Sequence, residues 1–165
     1  MSQPDFAAAV LRACKEQNIH TSVETCGYAP WETLERLARS TDLFLYDLKQ
    51  MDPVRHEQWT GVSNQLILRN LEELARIHAQ IVVRYPLIPG ANDSHRDILD
   101  LIQYIRGVRT LQKVEISPYH RYGELKYSLL GRPYPLRAVQ VLSEEQVNEV
   151  VSLIRSHGLD CESLH

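Results

Sequence analysis

The sequence predicts an α/β fold, an incomplete (β/α) barrel of about four parallel strands with helices outside. Three observations predict it. Apolar strand-like runs alternate with amphipathic helical segments, and each run finishes in polar or charged side chains. At 165 residues the chain is also too short for a closed barrel of eight units, which takes about 250. In folds of repeated strand–helix units, ligands sit at the carboxyl ends of the strands, so the polar endings mark the functional face.

The first helix is read from Phe6, Val10 and Cys14, four residues apart, with Pro4 suited to an opening turn. A strand follows at Thr21-Ser22-Val23-Glu24-Thr25 and is ended by Gly27. Pro30 opens a second helix with Trp31, Leu34 and Leu37 at helical spacing. The second strand, Leu43 to Lys49, is the most informative stretch. Its Leu43, Phe44, Leu45 and Leu48 ask to be buried, yet it ends by presenting Asp47 and Lys49. Side chains at i and i+2 of a strand share one face, so this carboxylate and this ammonium point the same way.

Ile67, Leu71, Leu74 and His78 mark a third helix, and Ile81-Val82-Val83-Arg84-Tyr85-Pro86 a third strand. Ser94 with Asp97 resembles a capping box opening a fourth helix, which buries Ile98, Leu101, Ile102 and Ile105 and stops at Gly107. The fourth strand is Val114-Glu115-Ile116-Ser117-Pro118-Tyr119-His120. From Pro118 to about Leu142 no helix is assigned, and structureless loops beyond roughly 12 to 15 residues are usually functional or disordered. Tyr119, Tyr122, Tyr127 and Tyr134, with Gly123 and Gly131, favour an ordered loop with aromatic anchors that covers the strand ends or meets a partner. The last helix is capped by Ser143 with Gln146, carries Val147, Val150, Val151 and Ile154 inward, and closes at Gly158. Glu24, Asp47, Lys49, Arg84 and His120 then converge on one mouth.

Composition bounds the rest. A hydrophobic content of 44% supports one sizeable core, and no Gly-, Pro- or Ser-rich linker divides the chain, so residues 1–165 are read as one domain. No apolar run reaches the roughly 18 to 20 residues that span a membrane, and no charged-then-apolar leader opens the chain; the reading is a soluble, cytoplasmic protein. The net charge is −3 with basic residues scattered among acids, which leaves no electrostatic footprint for nucleic acid. Cys14, Cys26 and Cys161 are odd in number and far apart, against both a disulfide framework and a self-sufficient metal or iron–sulfur site. Cys26 reads as a small packing residue. His20, His56, His78, His95, His157 and His165 lack paired ligand spacing and read as surface or structural. Each remaining candidate has a plainer reading: Asp47 with Lys49 as a structural ion pair, Arg84 buried to pair Glu115 or Asp47, His120 as a loop histidine.

Five segments, taken together, carry a family resemblance: ETCGYAP (24–30), FLYDLKQMD (44–52), HEQWTGVSNQLILRNL (56–71), VVRYPLIPGANDS (82–94) and VEISPYHRYGELKYSLLG (114–131). In order and spacing, from about residue 2 to residue 158, the chain resembles the radical S-adenosylmethionine activating enzymes of glycyl-radical enzymes, whose type case is the pyruvate formate-lyase activase. The resemblance implies a (β/α)6 partial TIM barrel that binds S-adenosylmethionine against a 4Fe-4S cluster. The reduced cluster would cleave the cofactor to a 5′-deoxyadenosyl radical, which takes a hydrogen from a backbone glycine of the partner. Carried over by position, Asp47, Leu48 and Lys49 match the family's DLK segment, His120 its PYH histidine and Arg84 the arginine of its VRY strand. Glu24 and Thr25 fall where the family usually has Asp-Thr. Lys49 and Arg84 would oppose the cofactor carboxylate; Asp47 and Glu24 would balance its sulfonium or hold a small cation.

The resemblance also implies partners: a glycyl-radical enzyme, pyruvate formate-lyase or a relative, and an electron donor such as flavodoxin or ferredoxin. The family's trio of cluster cysteines and its Gly-Gly-Glu segment are absent. The chain therefore reads as the C-terminal part of such an enzyme, without catalytic or metal-ligating residues of its own and inactive alone. It begins with a helix where a strand would start the series, and an uncovered sheet edge is expected to make it self-associate. Two rival readings stand beside this one. Asp47-x-Lys49-x-x-Asp52 matches the short signature of orotidine-phosphate decarboxylase-like barrels, and a truncated barrel could also be a non-catalytic binding domain.

Overall fold

Five parallel strands pair in strict chain order in the computed structural model, which describes residues 3–164. They are β1 (Ser22–Thr25), β2 (Leu43–Asp47), β3 (Ile81–Leu87), β4 (Leu111–Pro118) and β5 (Cys161–Ser163). The helices are α1 (Pro4–Glu16), α2 (Trp31–Ala38), α3 (Pro53–Thr60), α4 (Gln65–Arg76), α5 (His95–Ile105), α6 (Glu124–Leu129) and α7 (Glu144–Ser156). At least one helix lies between each pair of consecutive strands, as a parallel connection requires. Among the described residues the sheet stays open: β1 pairs with β2 alone and β5 with β4 alone. This is the open α/β barrel segment that the strand–helix alternation predicts, with a fifth strand added.

The two faces of the sheet differ. Phe44, Tyr46, Val83, Tyr85, Val114 and Ile116 are buried together with Ile67, Leu71 and Leu74 of α4, Ile98, Leu101, Ile102 and Ile105 of α5, and Val147, Val151 and Ile154 of α7. Each such aliphatic side chain contributes about 1.5–3 kcal/mol when fully buried. Their sequence neighbours Leu45, Asp47, Arg84 and Lys113 point to the other face and keep partial exposure. A bulge in β4 sets the phase: Ile81 pairs with Leu111, but Val82 pairs with Lys113.

The termini of the elements follow local chemistry. Ser94 and Asp97 complete a capping box on α5, and Ser143 with Gln146 does so on α7. The helix read through His78 stops at Arg76. His78 stands in the left-handed region at φ 62°, exposed rather than in the buried stripe. Its N–H donates to Ala75 O at 3.2 Å and Ala79 N–H to Leu74 O at 3.1 Å, a Schellman ending that turns the chain into β3. Phe6 and Val10 of α1 are likewise exposed, and Ala8 is the residue that helix buries.

Four elements escape the sequence reading. α3 buries His56 and leaves Val54 and Trp59 exposed, so its apolar pattern is weak; its Asp52-Pro53 start and Gly61 end are the signals that mark it. β5 has three residues, too few for periodicity. The stretch after Pro118 contains a 3-10 turn, Arg121–Gly123, and α6. Its anchors are aromatic: Tyr119 and Tyr134 hydroxyls lie 3.0 Å apart, and Tyr127 meets Tyr134 edge-on at 5.1 Å.

Candidate functional site

Register brings charged side chains from four strands into one row. Asp47 pairs with Arg84, Arg84 with Glu115, and Glu115 with Glu162, so all four lie side by side on the face that the helices leave open. Lys49, just past β2, reaches back to Asp47 at 3.1 Å. The strand-end geometry expected of Asp47 and Lys49 is therefore present, and both side chains are partly accessible, at 28% and 38%.

Arg84 is the hub of a longer chain of ion pairs. Its Nη1 lies 3.0 Å from Glu24 and its Nε donates to Glu115 at 2.7 Å. Glu115 in turn accepts from Lys113 at 3.0 Å, and Lys113 pairs with Glu162. Opposite charges thus alternate from β1 to β5. Of the two plain partners considered for Arg84, the structure chooses Glu115 and not Asp47, and it adds Glu24. Burial raises the Glu115 pKa, but hydrogen bonds from Arg84 and Lys113 outweigh it and hold the carboxyl below its usual range. Burial likewise lowers the Arg84 pKa, and Glu115 with Glu24 more than restores it.

The remaining candidates separate. Leu48 is buried, and what it offers is backbone: its N–H donates to Arg84 O at 2.9 Å. Thr25 aligns with Tyr46 on the helix-covered face, and its Oγ1 accepts from Gly27 N–H at 3.0 Å, so it does not join Glu24. His120 lies past the end of β4, exposed, with Tyr122 stacked on it at 4.2 Å. Its Nδ1 accepts from Tyr122 N–H at 3.3 Å, which leaves Nε2 as the outward donor. Lys113 and Glu162 were missed; the alternation of Lys113, Glu115 and Ser117 against Val114 and Ile116 is the signal that would have found the first.

Behind the open face a buried polar network ties the loop after β2 to the loop after β3. Gln50 Nε2 donates to Ala91 O at 3.1 Å and to Asp97 at 3.0 Å. Arg55 reaches the same Asp97 oxygen at 2.5 Å. Burial raises the Asp97 pKa, and Ser94, Gln50 and Arg55 together bring it below its ordinary value. Both Asp97 and Glu115 therefore bind fewer protons in the folded chain than in the unfolded one. Their contribution is complete above their unfolded pKa values of about 4 and is lost as pH falls through the depressed folded values. We expect urea midpoints to be flat from pH 8 to 6 and to fall steeply below about pH 4. A midpoint at pH 3 equal to that at pH 7 would contradict the assignment.

Asp52, third member of the rival D-x-K-x-x-D pattern, is occupied elsewhere. Its Oδ1 accepts from Val54 and Arg55 N–H groups, both at 2.9 Å, as the cap of α3. Among the described residues no group of three or more His, Cys, Asp or Glu could hold a metal ion. Cys14, Cys26 and Cys161 sit on α1, after β1 and on β5, and burial pushes the Cys161 thiol up to about 12. A cluster is held by several thiolates gathered at one place, and these three cysteines, on separate elements, form no such group among the described residues, so they do not fit an iron–sulfur cluster. The charged row presents both signs of charge on the open face. A surface groove of about 880 Å³ between Glu72 and Arg76 of α4 and Asp100 and Tyr104 of α5 lies away from the strand ends and holds none of these groups.

No family model matches the chain. Curated proteins do. It is 39% identical over 160 residues to the choline trimethylamine-lyase activating enzyme of Oleidesulfovibrio alaskensis, covering 95% of this chain and 52% of that protein. It is 35% identical over 160 residues to the pyruvate formate-lyase-activating enzyme of Streptococcus mutans, covering 93% of this chain and 61% of that one. Among solved structures, a domain of the pyruvate-formate lyase-activating enzyme from Bacteroides vulgatus superposes with a TM-score of 0.82 at 27% identity, covering 99% of this chain and 92% of that domain. The chain thus spans about half the length of the curated relatives it matches.

Proposed function

This chain belongs to the glycyl-radical enzyme activating enzymes, and from that premise we propose that it is the C-terminal part of one, supplying the strand ends that face cofactor and partner. The parent would use S-adenosylmethionine and a 4Fe-4S cluster to install a glycyl radical on pyruvate formate-lyase or a relative, with electrons from a donor such as flavodoxin or ferredoxin. The cluster's ligands belong, in this reading, to polypeptide outside the chain, which is inactive alone. The observation that carries the reading is the pairing of Asp47 with Lys49 at 3.1 Å on the open face, one strand from Arg84.

When bound, the cofactor and cluster supply a hydrogen-abstracting radical; the chain's own residues hold and orient. Lys49 opposes a ligand carboxylate, and Asp47 beside it balances a sulfonium or ammonium. Arg84 has Nε and Nη1 engaged, which leaves Nη2 for the same carboxylate. The His120 ring donates from Nε2. Glu24, drawn to Arg84, steadies that guanidinium and is in this chain less available to a cation. The decarboxylase-like alternative is disfavoured by Asp52, whose side chain caps α3.

Titration of S-adenosylmethionine into the 15N-labelled chain tests the proposal. Saturable shifts at the amides of Asp47, Lys49, Arg84 and His120 are expected, with uridine monophosphate producing none. Shifts with the nucleotide alone would transfer the site to the decarboxylase-like reading. Silence with both would leave a binding domain without a small-molecule ligand.

A further inference from the structure

The hydrogen-bond ladder between β2 and β3 ends early, and a side chain completes it. Its last bond runs from Leu48 N–H to Arg84 O at 2.9 Å. The next donor in a parallel register would come from position 86, a proline without an N–H. Beyond that point one carboxamide takes over. Asn92 Nδ2 donates to Lys49 O and to Pro86 O, each at 2.6 Å, and its Oδ1 accepts from Ile88 N–H at 2.7 Å. The Asn92 carbonyl is itself held by the Tyr85 hydroxyl at 2.8 Å, and the residue is 2% exposed. Asn64 treats the following carbonyls alike, donating to Gln50 O at 3.0 Å and Met51 O at 2.7 Å. Three successive carbonyls, at 49, 50 and 51, are thus clamped by amides from other parts of the chain.

We infer that Asn92 is a positioning residue for Lys49. Resting on the cofactor role proposed for Lys49, the argument concerns how a flexible side chain just past a strand acquires one direction. A lysine has four rotatable bonds and this one is partly exposed, so its ammonium is no better placed than its peptide plane. Loop backbone is ordinarily mobile; here the Lys49 carbonyl is locked to the end of β3, which also carries Arg84. Only a carboxamide supplies two donors and an acceptor from one planar group. Aspartate has the same shape but, ionised, would set an anion against two carbonyl oxygens. The geometry links the Asp47–Lys49 pair to Arg84 through backbone rather than through charge.

The test uses the whole chain and four variants: Asn92→Ala, Asn92→Asp, the milder Asn92→Ser, which keeps one donor, and Ile154→Ala in α7 as a control for stability alone. Two quantities are read by NMR: the S-adenosylmethionine dissociation constant and the order parameter of the Lys49 amide. Asn92→Ala and Asn92→Asp should weaken binding by about tenfold or more and loosen the amides of Lys49 and Gln50, with Asn92→Ser between them and the native chain. Ile154→Ala should lower the urea midpoint while leaving both readings unchanged. Native-like affinity and order in the Asn92 variants would overturn the inference. Should the native chain bind no S-adenosylmethionine, the cofactor reading falls, and the order at Lys49 still decides whether Asn92 positions it.

Discussion

Gly27→Ala destabilises the chain by about 3–5 kcal/mol, a large share of the 5–15 kcal/mol typical of a domain. Gly27 follows β1 at φ 72°, a left-handed conformation that costs an L-residue about 1–2 kcal/mol. A Cβ there would also sit 1.6 Å from the Tyr46 hydroxyl oxygen and 2.3 Å from Cζ. Tyr46 cannot yield cheaply. It is fully buried and its hydroxyl donates to Ile67 O at 2.7 Å; burial also drives its pKa well above the usual range, so it stays a neutral donor. Displacing it adds overpacking of about 1–3 kcal/mol and risks a lost buried hydrogen bond of similar size. The Gly27 carbonyl is pinned too, by Asn70 Nδ2 at 2.7 Å, so the turn cannot move aside. Urea denaturation checks this, with Gly61→Ala as the comparison. Gly61 stands at φ 81° with nothing within 4 Å, and its alanine variant should lose only about 1 kcal/mol. Equal losses at the two positions would show that the Tyr46 contact contributes nothing.

Arg84→Met is expected to cost about 2–4 kcal/mol at pH 7, by leaving the buried Glu115 carboxylate with Lys113 as its one remaining cation. Glu115 is 6% exposed, so water cannot replace the guanidinium. Adding Glu115→Leu should recover most of the loss, since removing both charges removes the uncompensated one. The pH profile gives a second check: in the Arg84→Met chain burial acts on Glu115 with less opposition, so stability should fall less between pH 6 and pH 3 than in the native chain. A single variant as stable as the native chain, or a double variant worse than the single, would refute this account of the row. Loss of S-adenosylmethionine binding in the double variant, despite restored stability, would mark Arg84 as a ligand contact as well as an ion-pair hub.

Much of the fold was legible because the signals were local. Ser94 with Asp97 and Ser143 with Gln146 announced their helices through capping groups three residues apart. Asp47 and Lys49 announced a shared face through the two-residue period of a strand. α3 was hidden because an amphipathic pattern reports burial, and this helix buries little besides His56. His78 was misread because its spacing from Leu74 continues the helix, whereas the Schellman ending depends on bonds that close only once the chain turns. Thr25 entered beside Glu24 through the family resemblance, and successive residues of a strand point to opposite faces, which only the register of β1 with β2 made visible.

Sequence alone determined the alternation of strands and helices, the parallel order that short helical connections impose, and which strand end carries Asp47 and Lys49. These follow from periodicity and capping, which act within a few residues. Tertiary structure decided the partners: that Arg84 bonds Glu115 and Glu24, that the β4 bulge aligns Lys113 with Val82 and Glu115 with Arg84, and that Asn92 closes the ladder that Pro86 interrupts. Such choices rest on register between segments some thirty to sixty residues apart. Register is set by packing of the whole covered face, and no local pattern encodes it.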